Sequence, residues 1–493
     1  MNEKNEQWGS RLGFIMATLG MAVGTGNIWR FPRMAGTNGG GSFIIAYIIA
    51  NLVWAAPLMI SEIALGKKYK LGTSGAFREF MGRKFTWIGG WICWVCAAIT
   101  FYYVVVFGQA MRYFLFGLQG VYKPGLDTQK LWDNFIGSPI QNIALLAVGV
   151  ILSYYFGSRV VNKGLEKLNK FAVPTLFICL IITFVWGLTI KGSTLGLKYM
   201  FVPNWTLFLN PILWLAAFTQ AAWSTGAGWG EMLTYGNYLK DDDDVACNGM
   251  MAVFGDQLGA MAGGLAVLPV VFALSATPDA AVSALKTGNV GLTFIYLAKV
   301  FPTMPGGNII ATLFFLSLSL AALTSLVAQM EVLIRNFVNA GYDKKKAAFI
   351  CCAATFILGI PSAVSIDFLN NQDWVWGIGL LVGGLFYSIA IYKFGIDKMR
   401  TELINKTSDI KLPKLYYNTC IKLFPVLFVA IVGWWIMQSI SWHPENWWNP
   451  FVVDSVGTLV VQVAISFAIF YFLNEKIAKK ILPYKEDKNQ NIA

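Results

Sequence analysis

The chain has 493 residues, of which 56% are hydrophobic and only 13% charged. A water-soluble protein of this size carries roughly twice that charged fraction, so composition excludes a soluble enzyme or nucleic-acid-binding domain. The net charge of +12 then reads as basic loops facing anionic lipid, not as a surface for nucleic acid.

Apolar segments of about 20 residues, enough to cross a bilayer, number twelve. They fall near residues 11–36, 42–66, 86–118, 139–156, 167–190, 208–238, 246–275, 307–338, 347–365, 374–396, 419–440 and 452–474. A further pair of short helices is expected between Ala280 and Val300, in the seventh connection. With both termini in the cytoplasm, most of the 38 basic residues fall on inner segments, among them Lys67, Lys68, Lys70, Arg78, Arg83, Lys84 and Lys344 to Lys346. The opposite orientation would reverse that bias. The acidic run Asp241 to Asp244 lies on an inner loop and reads as a solvated helix–loop junction. The seven cysteines lie in or beside apolar segments. They include one Cys-x-x-Cys pair, Cys93 and Cys96, for which no metal or disulfide role is expected. His443 is the only histidine and lies in a short polar loop, which argues against histidine-based catalysis.

Segment 1 is interrupted by Gly20-Met21-Ala22-Val23-Gly24-Thr25-Gly26-Asn27. Segment 6 is interrupted by Trp223-Ser224-Thr225-Gly226-Ala227-Gly228-Trp229-Gly230-Glu231. Glycine lets a backbone leave helical geometry cheaply, but at membrane depth the freed N–H and C=O groups need partners. Bound ions and a polar ligand can supply them; a glycine-kinked helix packed on small neighbours is the alternative. Two such interruptions at corresponding places in two halves of a chain point to a transport site.

The run from Trp8 to Phe43 is more specific still: Trp8-Gly9-Ser10-Arg11, then Gly24-Thr25-Gly26-Asn27-Ile28-Trp29-Arg30-Phe31-Pro32, then Asn38-Gly39-Gly40-Gly41-Ser42. It resembles the neurotransmitter:sodium symporter family, bacterial members such as the leucine transporter included. Matches continue at Pro57-Leu58-Met59, Glu62 and Gly66, at Tyr102-Tyr103, and at Gly164 with Pro174. They extend to Ala321-Ala322-Leu323-Thr324-Ser325 and Leu412-Pro413-Lys414-Leu415-Tyr416-Tyr417. The resemblance implies an all-α membrane protein with twelve transmembrane helices and an inverted five-helix repeat, segments 1–5 against 6–10. Its transport core would take residues 1–400 (repeats near 11–190 and 208–397), with 401–493 forming the last two helices and a cytoplasmic tail.

The same resemblance implies a sodium site, the family's second, formed by the carbonyls of Gly20, Val23 and Ala321 and the hydroxyls of Thr324 and Ser325. Hard cations take oxygen ligands, and every one of these positions can offer one. The first site would use Ala22, Asn27 and Ser224. Aligned on Gly263-Gly264, segment 7 carries Gly255 where the family has an asparagine. It carries Gly259 where chloride-independent bacterial members have a glutamate. Asp256 or Glu231 is left to supply the missing oxygen and negative charge, with Glu231, directly after the second interruption, favoured as counter-charge. Glu231 as a proton site or cation ligand stays open, and intramembrane acids are functional candidates by default. Glu62 is expected to hold the broken backbone of segment 6, and Glu331 to belong to a polar network in the inner half.

The implied substrate is a small amino acid. Gly24 stands where monoamine carriers have an aspartate, which leaves room for a substrate carboxylate near Gly24, Thr25, Gly26 and the Tyr103 hydroxyl. Ile99, Trp223, Ser224, Gly226, Trp229, Ser325 and Gln329 would surround the amino group and side chain. Arg30 and Asp373, the latter at the start of segment 10, match the outer gate. The inner pair of the family is replaced by Asn5 and Asn339, with Lys4 nearby and no charge partner evident, so inner closure is expected to rest on hydrogen bonds and packing. The reading is Na⁺-coupled symport across a plasma membrane, with one Na⁺ expected and a second open. The alternatives are a proton-coupled carrier of the same fold and a sodium-binding channel or sensor. The oligomeric state is not legible.

Overall fold

A computed structural model of the protein describes residues 6–482, and no strand occurs among them. Twelve helical segments follow the expected order. α1 is split into Arg11–Ala22 and Gly26–Thr37, bent by 51°. α2 is Gly41–Tyr69, α3 Thr86–Leu118, α4 Pro139–Gly157 and α5 Leu165–Leu188. α6 is split into Pro211–Thr225 and Glu231–Gly236. α7 is Val245–Leu274, α8 Gly307–Asn339, α9 Lys344–Val364, α10 Ile366–Phe394, α11 Lys414–Trp442 and α12 Val456–Lys480. Ten of these are long and apolar enough to cross a membrane unbroken, and α1 makes an eleventh when its halves are joined. α6 falls short only because its glycines divide it.

Several helices begin away from where the apolar run does. α9 starts at Lys344 rather than 347, α10 at Ile366 rather than 374 and α11 at Lys414 rather than 419; α12 spans Val456–Lys480 rather than 452–474. Polar caps set three of these starts. The side chains of Asp343, Ser365 and Ser455 accept from the backbone N–H of Lys346, Phe368 and Thr458, satisfying donors that a helix end leaves free. Asp373 consequently lies two turns inside α10, not at its start. Asp244 caps α7 in the same way, and Lys67 Nζ donates to the Asp243 carbonyl at 2.5 Å. The acidic run is thus a helix–loop junction. The seventh connection holds the helix Pro278–Leu285 and a bent helical run over residues 288–303. Asn5 and Lys4 lie outside the described residues.

The first half of α1 is wedged between α5 and α7 by glycines. A Cβ on Gly255, Gly259 or Gly263 would lie 2.1 Å from Leu19, 2.6 Å from Val23 and 2.3 Å from the Asn27 carbonyl, respectively. On the α5 side, a Cβ on Gly20 would sit 1.7 Å from Asn169 Oδ1. Without a hydrophobic force between helices in lipid, such small-residue faces let backbones meet and gain dispersion contacts. The arm before α1 is held to α5 by Glu166. Its carboxylate accepts from Gly9 N at 2.7 Å and Ser10 Oγ at 3.1 Å and pairs with Lys170 Nζ at 2.6 Å. α11 and α12 pack on the outside, exposing most of their length.

Gly263→Ala should therefore destabilise the fold by about 1–3 kcal/mol, the usual cost of overpacking. Gly433→Ala on α11, where a new Cβ meets no atom within 4 Å, should leave it unchanged. Thermal unfolding of the two variants in detergent is the check.

Candidate functional site

The α6 break is built by three glycines at alternate positions. Gly226, Gly228 and Gly230 have φ of 70°, 97° and 80°, backbone that only glycine adopts without strain. A Cβ on Gly228 would in addition lie 2.7 Å from Gly384 N in α10. The N–H groups freed by the break are taken up by Glu62 on α2: Oε1 accepts from Gly228 N at 2.6 Å and Oε2 from Gly230 N at 3.0 Å. The α1 break is satisfied by side chains of other kinds. Asn27 Oδ1 accepts from Gly24 N at 3.0 Å, and the Tyr103 hydroxyl accepts from Thr25 N at 3.4 Å and lies 3.2 Å from Thr25 Oγ1. A Cβ on Gly24 would meet Ser325 Oγ at 2.8 Å and the Tyr103 hydroxyl at 3.3 Å, whereas one on Gly26 would meet nothing within 4 Å. An acidic side chain at Gly24 has no room, while Gly26 borders open space.

Two groups of oxygens flank these breaks. In one, Ser325 Oγ reaches from α8 to the Gly20 and Met21 carbonyls at 3.4 and 3.2 Å. Next to it, Thr324 Oγ1 donates to Ala321 O at 3.0 Å and Leu320 O at 3.1 Å. Val23, which ends the first half of α1, has left helical geometry at φ −89°, ψ 75°. Thr324 bonds its own helix; Ser325 crosses to α1. The carbonyl and hydroxyl chemistry there fits a hard monovalent cation as cargo.

The other group centres on Asp256, which is fully buried. Asn27 Nδ2 donates to its carbonyl at 2.9 Å and to Oδ1 at 2.8 Å, and Ser224 Oγ donates to Oδ1 at 2.6 Å. Tyr47 donates its hydroxyl to Oδ2, as does Asn51 Nδ2 at 3.2 Å. The positions that the resemblance assigned to an asparagine and a glutamate, Gly255 and Gly259, are instead pressed against the Leu19 and Val23 side chains of α1. Asp256, one residue along, turns to face Asn27 and Ser224. Glu231, favoured as counter-charge from sequence, stands apart from this group and makes no contact with it.

Between the breaks lies a cavity of about 390 Å³. Gly24, Thr25, Gly26, Ile99, Tyr103, Trp223, Ser224, Gly226, Trp229, Ser325 and Gln329 all border it, with Glu231. It continues past Arg30 and Asp373 to residues 287–290 and 366–370. Arg30 and Asp373 face each other across this passage without an ion pair; the Arg30 guanidinium rests over the Trp223 ring at 4.9 Å. The passage is open on this side.

At the opposite end, where Glu6 and Leu482 lie, the molecule is closed by charge. Lys344 Nζ pairs with Glu6 and with Glu331, each at 2.9 Å, and all three side chains are at most 5% exposed. Tyr238 donates its hydroxyl to Glu331. Trp8 caps the cluster, its Nε1 on the Tyr235 carbonyl at 3.1 Å and its ring edge-on to Tyr238. The expectation of closure by hydrogen bonds and packing alone is corrected here. The cation is Lys344 from the start of α9, paired with Glu331 of α8 and with Glu6; Lys4, for which no partner was expected, lies outside the described residues.

A model of the sodium:neurotransmitter symporter family matches residues 5–124 and 133–479. The chain belongs to that family. A sodium-dependent transporter of Methanocaldococcus jannaschii is 30% identical over 87% of this chain and 90% of its own length. The sodium-dependent serotonin transporter of Drosophila melanogaster is 23% identical over 94% and 83%. Among solved structures, MhsT in complex with L-phenylalanine aligns with a TM-score of 0.76 at 27% identity, covering 87% of this chain and 99% of MhsT. The protein is thus an all-α, multi-pass membrane member of a family of sodium-dependent transporters, with twelve helices in an inverted repeat and broken α1 and α6.

Within this symporter fold, three groups of residues escaped the sequence reading. Tyr47 and Asn51 are one turn apart on α2, a polar pair in an otherwise apolar run that could have marked the Asp256 contact. Lys344 sits in a basic stretch that reads as an inner-loop charge; only the fold turns it inward. Tyr102, beside Tyr103, borders the cavity with Asp373.

Replacing Lys344 by Met would leave Glu6 and Glu331 buried without the cation that pairs both, a change that costs about 3–5 kcal/mol when a buried pair is broken from one side. Hydrogen exchange at residues 6–10 and 331–344 should accelerate markedly in Lys344→Met. The same measurement on Lys344→Arg, which keeps the charge, should show a smaller increase.

Proposed function

We propose that the protein is a Na⁺-coupled symporter of a small amino acid in a plasma membrane, working by alternating access with both termini in the cytoplasm. The observation that carries this reading is the cavity enclosed by the two breaks, with backbone and hydroxyl oxygens on one flank and a glycine-lined opening at Gly24 and Gly26. The substrate carboxylate would lie against the α1 break near the Tyr103 hydroxyl, where Gly26 borders open space and the end of a half-helix favours an anion. Residues 1–400 would form the transport core, and α11 and α12 its outer support. One Na⁺ would be held by Gly20, Val23, Ala321, Thr324 and Ser325. A second would use Ala22, Asn27 and Ser224 with Asp256.

Asp256 also serves as the fixed negative charge of the site formed with Ala22, Asn27 and Ser224. Its neighbourhood with Asn27 and Ser224 favours it over Glu231 for this role. In low dielectric a carboxylate beside the cation replaces the anion that a chloride-dependent carrier must recruit. The inner cluster of Glu6, Lys344 and Glu331 closes the cytoplasmic side while the passage by Arg30 and Asp373 stands open, the arrangement of a carrier ready to load from outside. Arg30 and Asp373 would pair when that passage closes.

The deciding experiment is uptake into proteoliposomes across a panel of amino acids, with Na⁺ and pH gradients set independently. An inward Na⁺ gradient should drive accumulation of at least one amino acid at constant pH. Accumulation driven by a pH gradient alone would replace Na⁺ by H⁺ as the coupling ion. Ion flux without accumulation would point to a channel.

Three further outcomes are expected. Thr324→Ala combined with Ser325→Ala should abolish Na⁺-dependent substrate binding in a protein that still melts cooperatively, because a dehydrated ion finds no replacement oxygen. Arg30→Ala should reduce flux much more than equilibrium binding, since it weakens closure over the site and not the contacts within it. Uptake with gluconate in place of chloride should be unchanged in the wild type and should become chloride-dependent in Asp256→Asn.

A further inference from the structure

Four acids are buried near the transport path, and three have partners. Glu62 takes two backbone N–H groups, Asp256 four side-chain donors, and Glu331 a lysine and a tyrosine. Glu231 is the exception. It is 3% exposed, and among the described residues no hydrogen-bond donor or cation meets its carboxylate. It opens the second half of α6 directly after Gly230 and lines the cavity. Oε2 lies only 2.7 Å from where a Cβ on Gly226 would stand, so the glycine keeps the approach to the carboxylate clear.

A second, independent feature points the same way. Gln329, one turn beyond Ser325 on α8, borders the same cavity at 2% exposure, and its Oε1 has no donor. Three unmatched donors also border the cavity, Trp229 Nε1, Gln220 Nε2 and Arg30 Nε. The cavity thus presents a carboxyl group and a neutral acceptor that lack donors, and buried polar groups left so are costly unless the occupant completes them. Ile99 and the Trp229 ring supply apolar flanks to the same space. A sodium ion is a poor occupant here, because hard cations gather about six oxygens and this wall provides too few. A primary ammonium with three N–H donors on a short methylene stem matches it.

Resting on the symporter reading above, we propose that Glu231 and Gln329 form a side-chain subsite for a cationic amino acid. The α-carboxylate and α-ammonium engage the breaks, and a second, side-chain ammonium pairs with Glu231 while donating to Gln329 Oε1. The substrate class is a diamino acid with two to four side-chain methylenes.

The test uses the full-length protein in proteoliposomes with an inward Na⁺ gradient and constant pH. 2,4-Diaminobutyrate, ornithine and lysine are compared with alanine, leucine and glutamine as labelled substrates. At least one diamino acid should be taken up tenfold or more faster than its neutral counterparts. Glu231→Gln, isosteric and uncharged, should lower the cationic-to-neutral uptake ratio at least tenfold, and Gln329→Leu should lower it less. Equilibrium binding of the same ligands, read as thermal shift, shows whether a variant that does not transport is still folded. Preference of the wild type for neutral amino acids would overturn the proposal while leaving Na⁺-coupled symport standing. An unchanged ratio in Glu231→Gln would also overturn it. So would a change confined to Na⁺ affinity or pH profile, which would reassign the carboxylate to ion coupling. Absence of Na⁺-driven uptake for every amino acid would overturn both readings together.

Discussion

The governing constraint is that a helix opened inside a bilayer must find partners for the backbone groups it frees. This protein opens two helices and answers the need differently in each. In α6 a single carboxylate, Glu62, takes the N–H groups of Gly228 and Gly230. In α1 a neutral amide and a phenol, Asn27 and Tyr103, take those of Gly24 and Thr25. These partners hold the breaks open without filling them. The cavity between them is what remains when backbone satisfaction is achieved from the sides.

A second constraint is steric and acts through absent side chains. Gly255, Gly259 and Gly263 of α7 give α1 a track that receives the Leu19 and Val23 side chains and the Asn27 carbonyl, and Gly20 makes room for Asn169 of α5. The close approach brings Asp256 within reach of Asn27. A bulkier α7 would move this carboxylate away from the α1 break.

Much of this was legible in the chain itself. The paired interruptions follow from glycine spacing, which acts locally, while Glu62 on the α6 backbone and the Thr324-Ser325 pair beside Gly20 were implied by the family resemblance of short motifs. The less legible parts depend on rotation about a helix axis or on contacts between distant segments. Aligning α7 by its glycines made Gly255 and Gly259 look like lost ligands, when they are contact surface. A residue's direction changes by about 100° with each step along a helix, so Asp256 could not be assigned to a neighbour from its position alone. Lys344 was hidden for another reason. It lies among basic residues whose number reports orientation in the membrane, and nothing local distinguishes the one that turns inward.

The arm that carries Glu6 and Trp8 precedes the first membrane-spanning helix and belongs to no span of its own. It is nevertheless part of the seal, contributing one of the three charges and the aromatic cap. Short extra-helical segments open at lower free energy than packed helices do. Opening that end therefore requires Glu6 to leave Lys344 and Trp8 to leave Tyr235 and Tyr238, so a segment outside every span holds part of the barrier within the bundle.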